Sequence, residues 1–307
     1  MIYKKIIYSR NLRIKILSWI SWIPDASMLQ IQYWLQTGRK LDLKNPKRFT
    51  EKLQLYKLRY RNPDMLRCTD KYEVRKYIEE KGYGKYLIPF IGIYDKVENL
   101  NFNILPRQFV AKSTDGGGGN QVLVCRDKDS LTVTAFRERL KGWMDAPKSK
   151  SSGREWAYEN NYPRRVIFEE LIGGEQIQDL IDYKFYCFNG TPHYCQVIQN
   201  RSTKESIDFF DMDWNHMPFY GLNPLFGPAA KPAAKPTAKP PNWDNMVEIA
   251  KQLSKEFPFV RVDLYNIEGK IYFGELTFYP ASGYGKFTPD EWDEKLGDLF
   301  DISSFMP

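Results

Sequence analysis

Apolar residues recur at helical spacing in several stretches of the chain. Phe49, Leu53 and Tyr56 share one face of a helix predicted within NPKRFTEKLQLYKL. Val74, Tyr77 and Ile78 form the apolar stripe of a second helix. Asp70 can cap that helix, and Glu73 sits three residues later, the pattern of a capping box. Met246, Ile249, Ala250, Leu253 and Phe257 mark a further helix over 243–257, another is predicted within 128–145, and residues 1–45 read as helical.

Alternating or continuous apolar runs predict the strands. Residues 87–96 form a short strand entering a loop, and 166–172 form a buried strand ending at Gly173 and Gly174. Segments 182–189 and 191–199 are aromatic strands joined at Asn189-Gly190, a strong hairpin signal. Phe109-Val110-Ala111-Lys112 and Val122-Leu123-Val124 flank a loop with four successive glycines, Gly116, Gly117, Gly118 and Gly119. The last hairpin runs FVRVDLY, NIEGK, IYFGELTFYPASGYG. Alternation puts Phe259, Arg261, Asp263 and Tyr265 on one face, and Phe273, Glu275 and Thr277 on one face of the partner. A three-residue loop ending at Gly269 sets Arg261 opposite Glu275, with Asp263 one diagonal step away.

Composition narrows the classes. With 307 residues, 42% hydrophobic and 27% charged, the chain is long enough for a large buried core and is not disordered. A net charge of +7 implies anionic partners. Four cysteines (Cys68, Cys125, Cys187, Cys195) without a C-x-x-C pair read as free thiols in a reducing cytosol. Only two histidines, His193 and His216, argue against a histidine triad or multi-histidine zinc site. The basic, Trp-bearing first residues are interrupted by Arg10, Arg13 and Lys15, far short of the about 20 apolar residues of a membrane span. They suit a helix docked on the body, or one lying on a membrane surface. The period-four repeat PAAKPAAKPTAKP over 228–240 is a solvated, semi-rigid linker.

Candidate chemistry sits in several places. The glycine loop is neither a P-loop nor a dinucleotide fingerprint, because strands flank it on both sides and no Gly-Lys-Ser/Thr follows. It is either a flexible tip folding over phosphates, with Lys112 supplying charge, or a surface turn. Asp263 and Glu275 need a cation between them. Arg261 alone gives a salt-bridge cluster; Mg²⁺ is the other solution. Glu169-Glu170 can offer a strand end to an adenine edge or be exposed acids. Lys184 is a cation on a central strand. Lys71, in a first helical turn, opposes the helix dipole, which a nearby anion would explain.

The order of these features resembles the ATP-grasp superfamily, and within it the TupA-like branch named for teichuronopeptide biosynthesis. The resemblance rests on NPKRFTEKLQLYKL, DKYEVRKYI, FVAKSTDGGGGNQVLV, EEL, DYKFYCFNG, FVRVDLY and GKIYFGELTFYPASG, across roughly residues 40–300. It implies an α+β, ATP-grasp fold: two α+β lobes clamping ATP, preceded by a helical N-terminal region. The corresponding boundaries are 1–45 for the basic segment, 46–105 for a pre-grasp region, 106–172 for the small lobe and 173–307 for the large lobe. Lys71 and Lys112 then match the phosphate lysines, and Gly116, Gly117, Gly118 and Gly119 the closing loop. Glu169 with the backbone of Leu171 and Ile172 matches the adenine hinge, Glu175 the ribose acid, and Lys184 a basic residue of the cleft. Asp263 and Glu275 match the Mg²⁺ ligands, with Thr277 where many members have Asn. Arg261, with Lys112, is the catalytic cation, and Ser282 and Gly283 in the loop beside the metal strand would contact the amine substrate.

The resemblance implies a cytoplasmic Mg-ATP-dependent ligase using one or two Mg²⁺ ions. It would join an amine, such as an amino acid, to the carboxylate of an acidic sugar in capsule or cell-surface glycan synthesis. No nucleic-acid partner is expected, and residues 1–45 are the candidate contact with a membrane face or a partner enzyme. Two rivals remain: a glycosyltransferase using Asp211-Met212-Asp213, which reads as a loop, and a non-catalytic nucleotide- or glycan-binding protein.

Overall fold

The computed structural model describes residues 20, 22–117, 121–146, 153–160, 162–174, 179–222 and 231–306. Helix α1 (Asp25–Thr37) buries Met28, Leu29 and Tyr33 against the body, and the Tyr33 phenol meets the Thr50 hydroxyl at 2.8 Å. The remaining expectation for residues 1–45 lies largely outside the described residues. Next come α2 (Phe49–Arg59), α3 (Asp64–Cys68), α4 (Glu73–Glu80) and β1 (Phe90–Tyr94). The Asp70 carboxylate accepts N–H bonds from Tyr72 (2.9 Å) and Glu73 (3.0 Å) just ahead of α4, but the helix opens at Glu73, whose carboxylate turns to Lys76 at 3.1 Å, so the expected capping box does not form.

Strands β2 (Phe109–Ser113) and β3 (Val122–Cys125) form the glycine hairpin, followed by α5 (Val133–Met144), the single turn α6 (Trp156–Glu159) and β4 (Val166–Glu169). These strands make an antiparallel sheet in the order β1-β4-β2-β3, so β1 joins from the region expected to precede the small lobe. Phe136, Leu140 and Trp143 of α5 pack on Phe109, Ala111 and Phe168. Strand β4 stops at Glu169, short of the expected Ile172. Glu170 turns its N–H to the Pro89 carbonyl, and the chain then reverses through Gly173 and Gly174, both at positive φ.

The larger sheet is β10-β9-β5-β6-β7, built from β5 (Asp182–Phe188), β6 (Thr191–Gln199), β7 (Ser206–Phe210), β9 (Phe259–Ile267) and β10 (Lys270–Thr277). Strand β8 (Tyr220–Gly221) pairs only with β11 (Phe287–Thr288). Asn189 and Gly190 both take positive φ, the geometry a two-residue hairpin needs. Helix α7 (Trp243–Ser254) covers β5, β6 and β9 with Met246, Ala250 and Leu253. Helix α2 covers part of the opposite face, where Phe49 meets the rings of Tyr186, Phe188 and Phe259. Helix α8 (Glu291–Leu299) clamps the start of α2: Asp293 accepts the Thr50 N–H at 2.9 Å and the Thr50 hydroxyl at 2.7 Å.

Two expectations change. The last hairpin turns on Glu268 and Gly269 alone, both at positive φ, and Gly274 is an extra residue bulged from β10. Asp263 therefore lies directly opposite Glu275, and Arg261 opposite Thr277. The bulge also puts Phe273 opposite Leu264, in the core rather than beside Glu275. Second, the described part of the Pro-Ala-Lys segment is tied down. Lys231 bridges Ser206, and Thr237 bonds the side chains of Gln199 and Trp214.

Candidate active site

The small-sheet side begins at Lys112, whose strand neighbours are Val122 and Ile167. Its ammonium bonds Glu169 at 2.8 Å, and Arg75 takes the other oxygen of Glu169 at 3.0 Å. Glu169 is thus committed to two cations, one on each carboxylate oxygen. The start of α4 is fastened to the base of the glycine hairpin: the Lys71 N–H bonds the Thr114 carbonyl at 2.9 Å, and the Lys71 ammonium bonds the Gly116 carbonyl. A Cβ at Gly116 would sit 3.1 Å from the Gln121 side chain, whereas Gly117 faces open space. Arg164 grips Asp115 at 2.7 Å, anchoring the loop base. Gly118, Gly119 and Glu175 lie outside the described residues.

The large-sheet side gathers Lys184, Arg261, Asp263, Glu275 and Thr277. Pairing of β5 with β9 puts Lys184 opposite Asp263, and the Lys184 ammonium bonds that carboxylate. Arg261 holds Asp263 with two bonds of 2.7 Å and reaches the Thr277 hydroxyl at 3.0 Å and Glu275 at 3.3 Å. Burial pushes the Asp263 carboxyl up, against the pull of Arg261 and Lys184. Glu275 differs: 48% of its side chain is exposed, so it faces the cleft. Crowding by protein opposes its charge, but Lys184, Arg261 and Lys71 outweigh that and hold it at about 2. Lys71 itself is lowered by burial while Glu275 draws it upward and Lys112 downward. Cations beside the small sheet and carboxylates on the large sheet therefore share one field.

Mg²⁺ characteristically takes one or two carboxylates and leaves the rest of its shell to water and phosphate. Glu275, open to the cleft with the Thr277 hydroxyl 3.2 Å from its oxygen, fits that role. Asp263 fits as a second ligand only where Arg261 or Lys184 shifts to a phosphate. Among the described residues no group of three or more His, Cys, Asp or Glu side chains forms a metal cage.

Ser282 and Gly283 lie in a 3₁₀ turn (Pro280–Gly283) in which Ala281, Ser282 and Gly283 all take positive φ. A Cβ at Gly283 would fall 2.4 Å from the Gln54 amide, so glycine is required there. Beneath the turn is a residue that sequence reasoning missed. The Lys57 side chain is 0% exposed, and its ammonium bonds the Ser282 carbonyl at 2.7 Å, the Ser282 hydroxyl at 3.2 Å and Gln54 at 3.1 Å. Burial lowers Lys57 from 10.5 to about 8, opposed by Glu155 and Glu159. The unfolded chain binds the proton more strongly, so the cost of burying this charge is full below pH 8 and fades as pH rises to 10.5. That shift corresponds to about 3 kcal/mol. Urea titrations from pH 7.5 to 10.5 should show wild type gaining stability relative to Lys57→Met; a constant difference would contradict the burial argument.

Arg75 and Arg164 were also missed, because an arginine on a helix face or in a loop reads as solvated. Cysteine chemistry is absent from the cleft: all four cysteines are free and buried, and burial pushes the Cys187 thiol to about 12. Asp211 spends its carboxylate on the N–H groups of Asp213 (3.0 Å) and Asn215 (2.8 Å), so Asp211-Met212-Asp213 is a turn, as expected. No helix among the described residues is long and apolar enough to cross a membrane.

Among solved structures, D-alanine–D-alanine ligase from Bacillus anthracis is similar at 19% identity and a TM-score of 0.42, over 70% of this chain and 59% of that one. Phosphoribosylamine–glycine ligase from Thermotoga maritima is similar at 12% identity and a TM-score of 0.39, over 70% and 48%. An ATP-grasp ligase complexed with a minimal precursor, Mg and ADP is similar at 13% identity and a TM-score of 0.35, over 70% and 52%. This chain thus spans about half to three-fifths of the length of these structures. Curated proteins give no match. The family described as TupA-like ATPgrasp matches residues 51–301, which take in every candidate residue named above, and the chain belongs to that family.

Proposed function

We propose that this protein is a Mg-ATP-dependent ligase that joins a carboxylate to an amine through an acylphosphate. The observation that carries the reading is the shared field of Lys71, Arg261, Lys184 and Glu275, with an exposed carboxylate held ionised at the cleft. Lys71 and Lys112 would grip the phosphates, helped by backbone N–H groups of the glycine loop from Gly116 and Gly117 onward. The backbone of Leu171 and Ile172 would meet the adenine edge, with Glu169 setting the position of Lys112. Glu275, Thr277 and Asp263 would hold Mg²⁺, which when bound neutralises phosphate oxygens.

In the first step an oxygen of the substrate carboxylate bonds the γ-phosphorus as the bridging P–O bond to ADP breaks. Charge spread over the phosphoryl oxygens is met by Lys112 and by Arg261, whose guanidinium turns from Asp263 toward it. In the second step the amine attacks the acyl carbon and phosphate leaves. Positioning and fixed charge suffice, so no Ser, Cys or His nucleophile is needed. Ser282 and Gly283, in the 3₁₀ turn that follows the strand of Glu275, would face the second substrate.

We extend the reading to cell-surface glycan synthesis, with a uronic acid as acid and an amino acid as amine. The net charge of +7 suits an acidic sugar as well as a nucleotide. The exposed apolar side chains of Trp22, Ile31, Trp34 and Leu35, beside the basic first residues, suit contact with an inner membrane face or partner enzyme. Purified protein with ATP, Mg²⁺, glucuronic or galacturonic acid and single amino acids should release ADP and phosphate only when both acid and amine are present. Thermal stabilisation by UDP-sugars but not by ATP would overturn the reading in favour of sugar transfer.

A further inference from the structure

A partly buried polar cluster borders the carboxylate patch, built on Lys57, Glu155 and Ser282. The Ser282 hydroxyl donates to Glu155, and the Lys57 ammonium stands 3.9 Å from the same Glu155 oxygen. Gly153 closes this corner: a Cβ there would lie 2.3 Å from the Ser282 hydroxyl and 2.9 Å from Glu155. The cluster leads directly to the reacting groups. Tyr279, two residues beyond Thr277, sets its ring 6.0 Å from that of Tyr158 at a tilt of 55°, and Tyr158 on α6 lies within electrostatic reach of Glu155, Glu275 and Arg261. The Tyr279 phenol is 4% exposed, and its hydroxyl has no hydrogen-bond partner among the described residues. A buried hydroxyl in that state has a donor and an acceptor to offer a water, an ion or a ligand.

We propose that Glu155 and Ser282, with the Tyr279 phenol, form the subsite for the incoming amine, and that Lys57 is a positioning residue that fixes this subsite by holding the left-handed turn. The inference rests on the ligase reading above. A primary ammonium suits the site because it needs acceptors, and Glu155, Ser282 and Tyr279 each present an oxygen. Lys57 is already matched to three acceptors, so it orders the turn without competing for the substrate.

The chemistry balances as follows. The ammonium gives one proton to the Glu155 carboxylate, which passes it to solvent. The freed nitrogen lone pair forms the C–N bond, and the bond from the acyl carbon to the phosphate oxygen breaks. The second nitrogen proton leaves with the phosphate as hydrogen phosphate. Proton removal by a placed carboxylate is a general-base contribution of about 10²–10⁴-fold.

Hydroxylamine separates the two half-reactions, because it is small, is uncharged at pH 7 and captures an acylphosphate as a hydroxamate without a dedicated amine site. Wild type, Glu155→Gln, Lys57→Met and Lys57→Arg are compared with ATP, Mg²⁺ and the uronic acids, using either hydroxylamine or single amino acids as acceptor. Glu155→Gln should lower amino-acid ligation at least a hundredfold while hydroxamate formation stays within about threefold. Lys57→Met should raise KM for the amino acid far more than it lowers kcat for hydroxamate, with partial rescue by Lys57→Arg. Equal loss of both reactions in Glu155→Gln, or no loss in either, overturns the proposal while the ligase reading stands. Absence of both products from wild type overturns the ligase reading itself and this inference with it.

Discussion

Glu275→Gln is expected to lower ATP-dependent ligation by about a hundred- to a thousandfold, the scale for removing one electrostatic contribution to a phosphoryl-transfer transition state, here made through the Mg²⁺ that the carboxylate would hold. The fold should survive it. The side chain is 48% exposed, and its partners Arg261 and Thr277 keep Asp263 and each other. What disappears is a carboxylate that combines full ionisation with open access to the cleft. Its level of about 2 means it is charged at every pH where the protein would be assayed. Lys112→Ala should be as severe for turnover, but it also strips a partner from Glu169 and leaves Arg75 to neutralise that buried acid alone. The glutamine variant is therefore the cleaner probe. ADP-release assays should show the loss in kcat in a variant that still unfolds cooperatively, at a somewhat lower temperature because Lys184, Arg261 and Lys71 lose a counter-charge; wild-type turnover in Glu275→Gln would remove this residue from the site.

Phe49→Ala should cost about 3–5 kcal/mol, the range for deleting a buried aromatic ring. Phe49 is fully buried and its ring lies against those of Tyr186, Phe188, Phe259, Phe287 and Phe300. Rings on this many sides hold one another in place, so a cavity there cannot close cheaply. The consequence extends to the cleft. Phe49 starts α2, and the same helix carries Gln54 and Lys57, which hold the Pro280–Gly283 turn. Urea unfolding should show a lower midpoint at unchanged slope. A loss below about 1 kcal/mol would mean that α2 is seated by Asp293 and Arg48 rather than by its aromatic anchor.

The strands and the glycine hairpin were legible because their signals are local. Asn189-Gly190 fixes its own turn, and period-two alternation put Arg261 and Asp263 on one face without knowledge of any partner strand. The register of the last hairpin was not legible, because the bulge at Gly274 is set by contact with Asp263 across the sheet, 3.0 Å from where a Cβ would stand. The error mattered: it hid the direct Asp263–Glu275 opposition. Lys57 was invisible for a different reason. A lysine in an amphipathic helix reads as solvent-facing, and only the approach of a turn more than 220 residues away in sequence supplies its acceptors. Glu155 likewise meets Ser282 across 127 residues, from a segment with no periodic signal of its own. Glu169 shows the intermediate case, since its place at a strand end was readable but its two cations were not. Sequence thus exposed the groups that act through charge on regular strands, and concealed those whose role depends on long-range packing.

The most direct test of the central claim is calorimetric titration of the purified protein with a non-hydrolysable ATP analogue, with and without Mg²⁺. Wild type should bind saturably at one site per chain, more tightly with Mg²⁺, with that strengthening lost in Glu275→Gln and the binding itself lost in Lys112→Ala. No binding by wild type, or undiminished Mg²⁺-dependent binding in both variants, would contradict the claim.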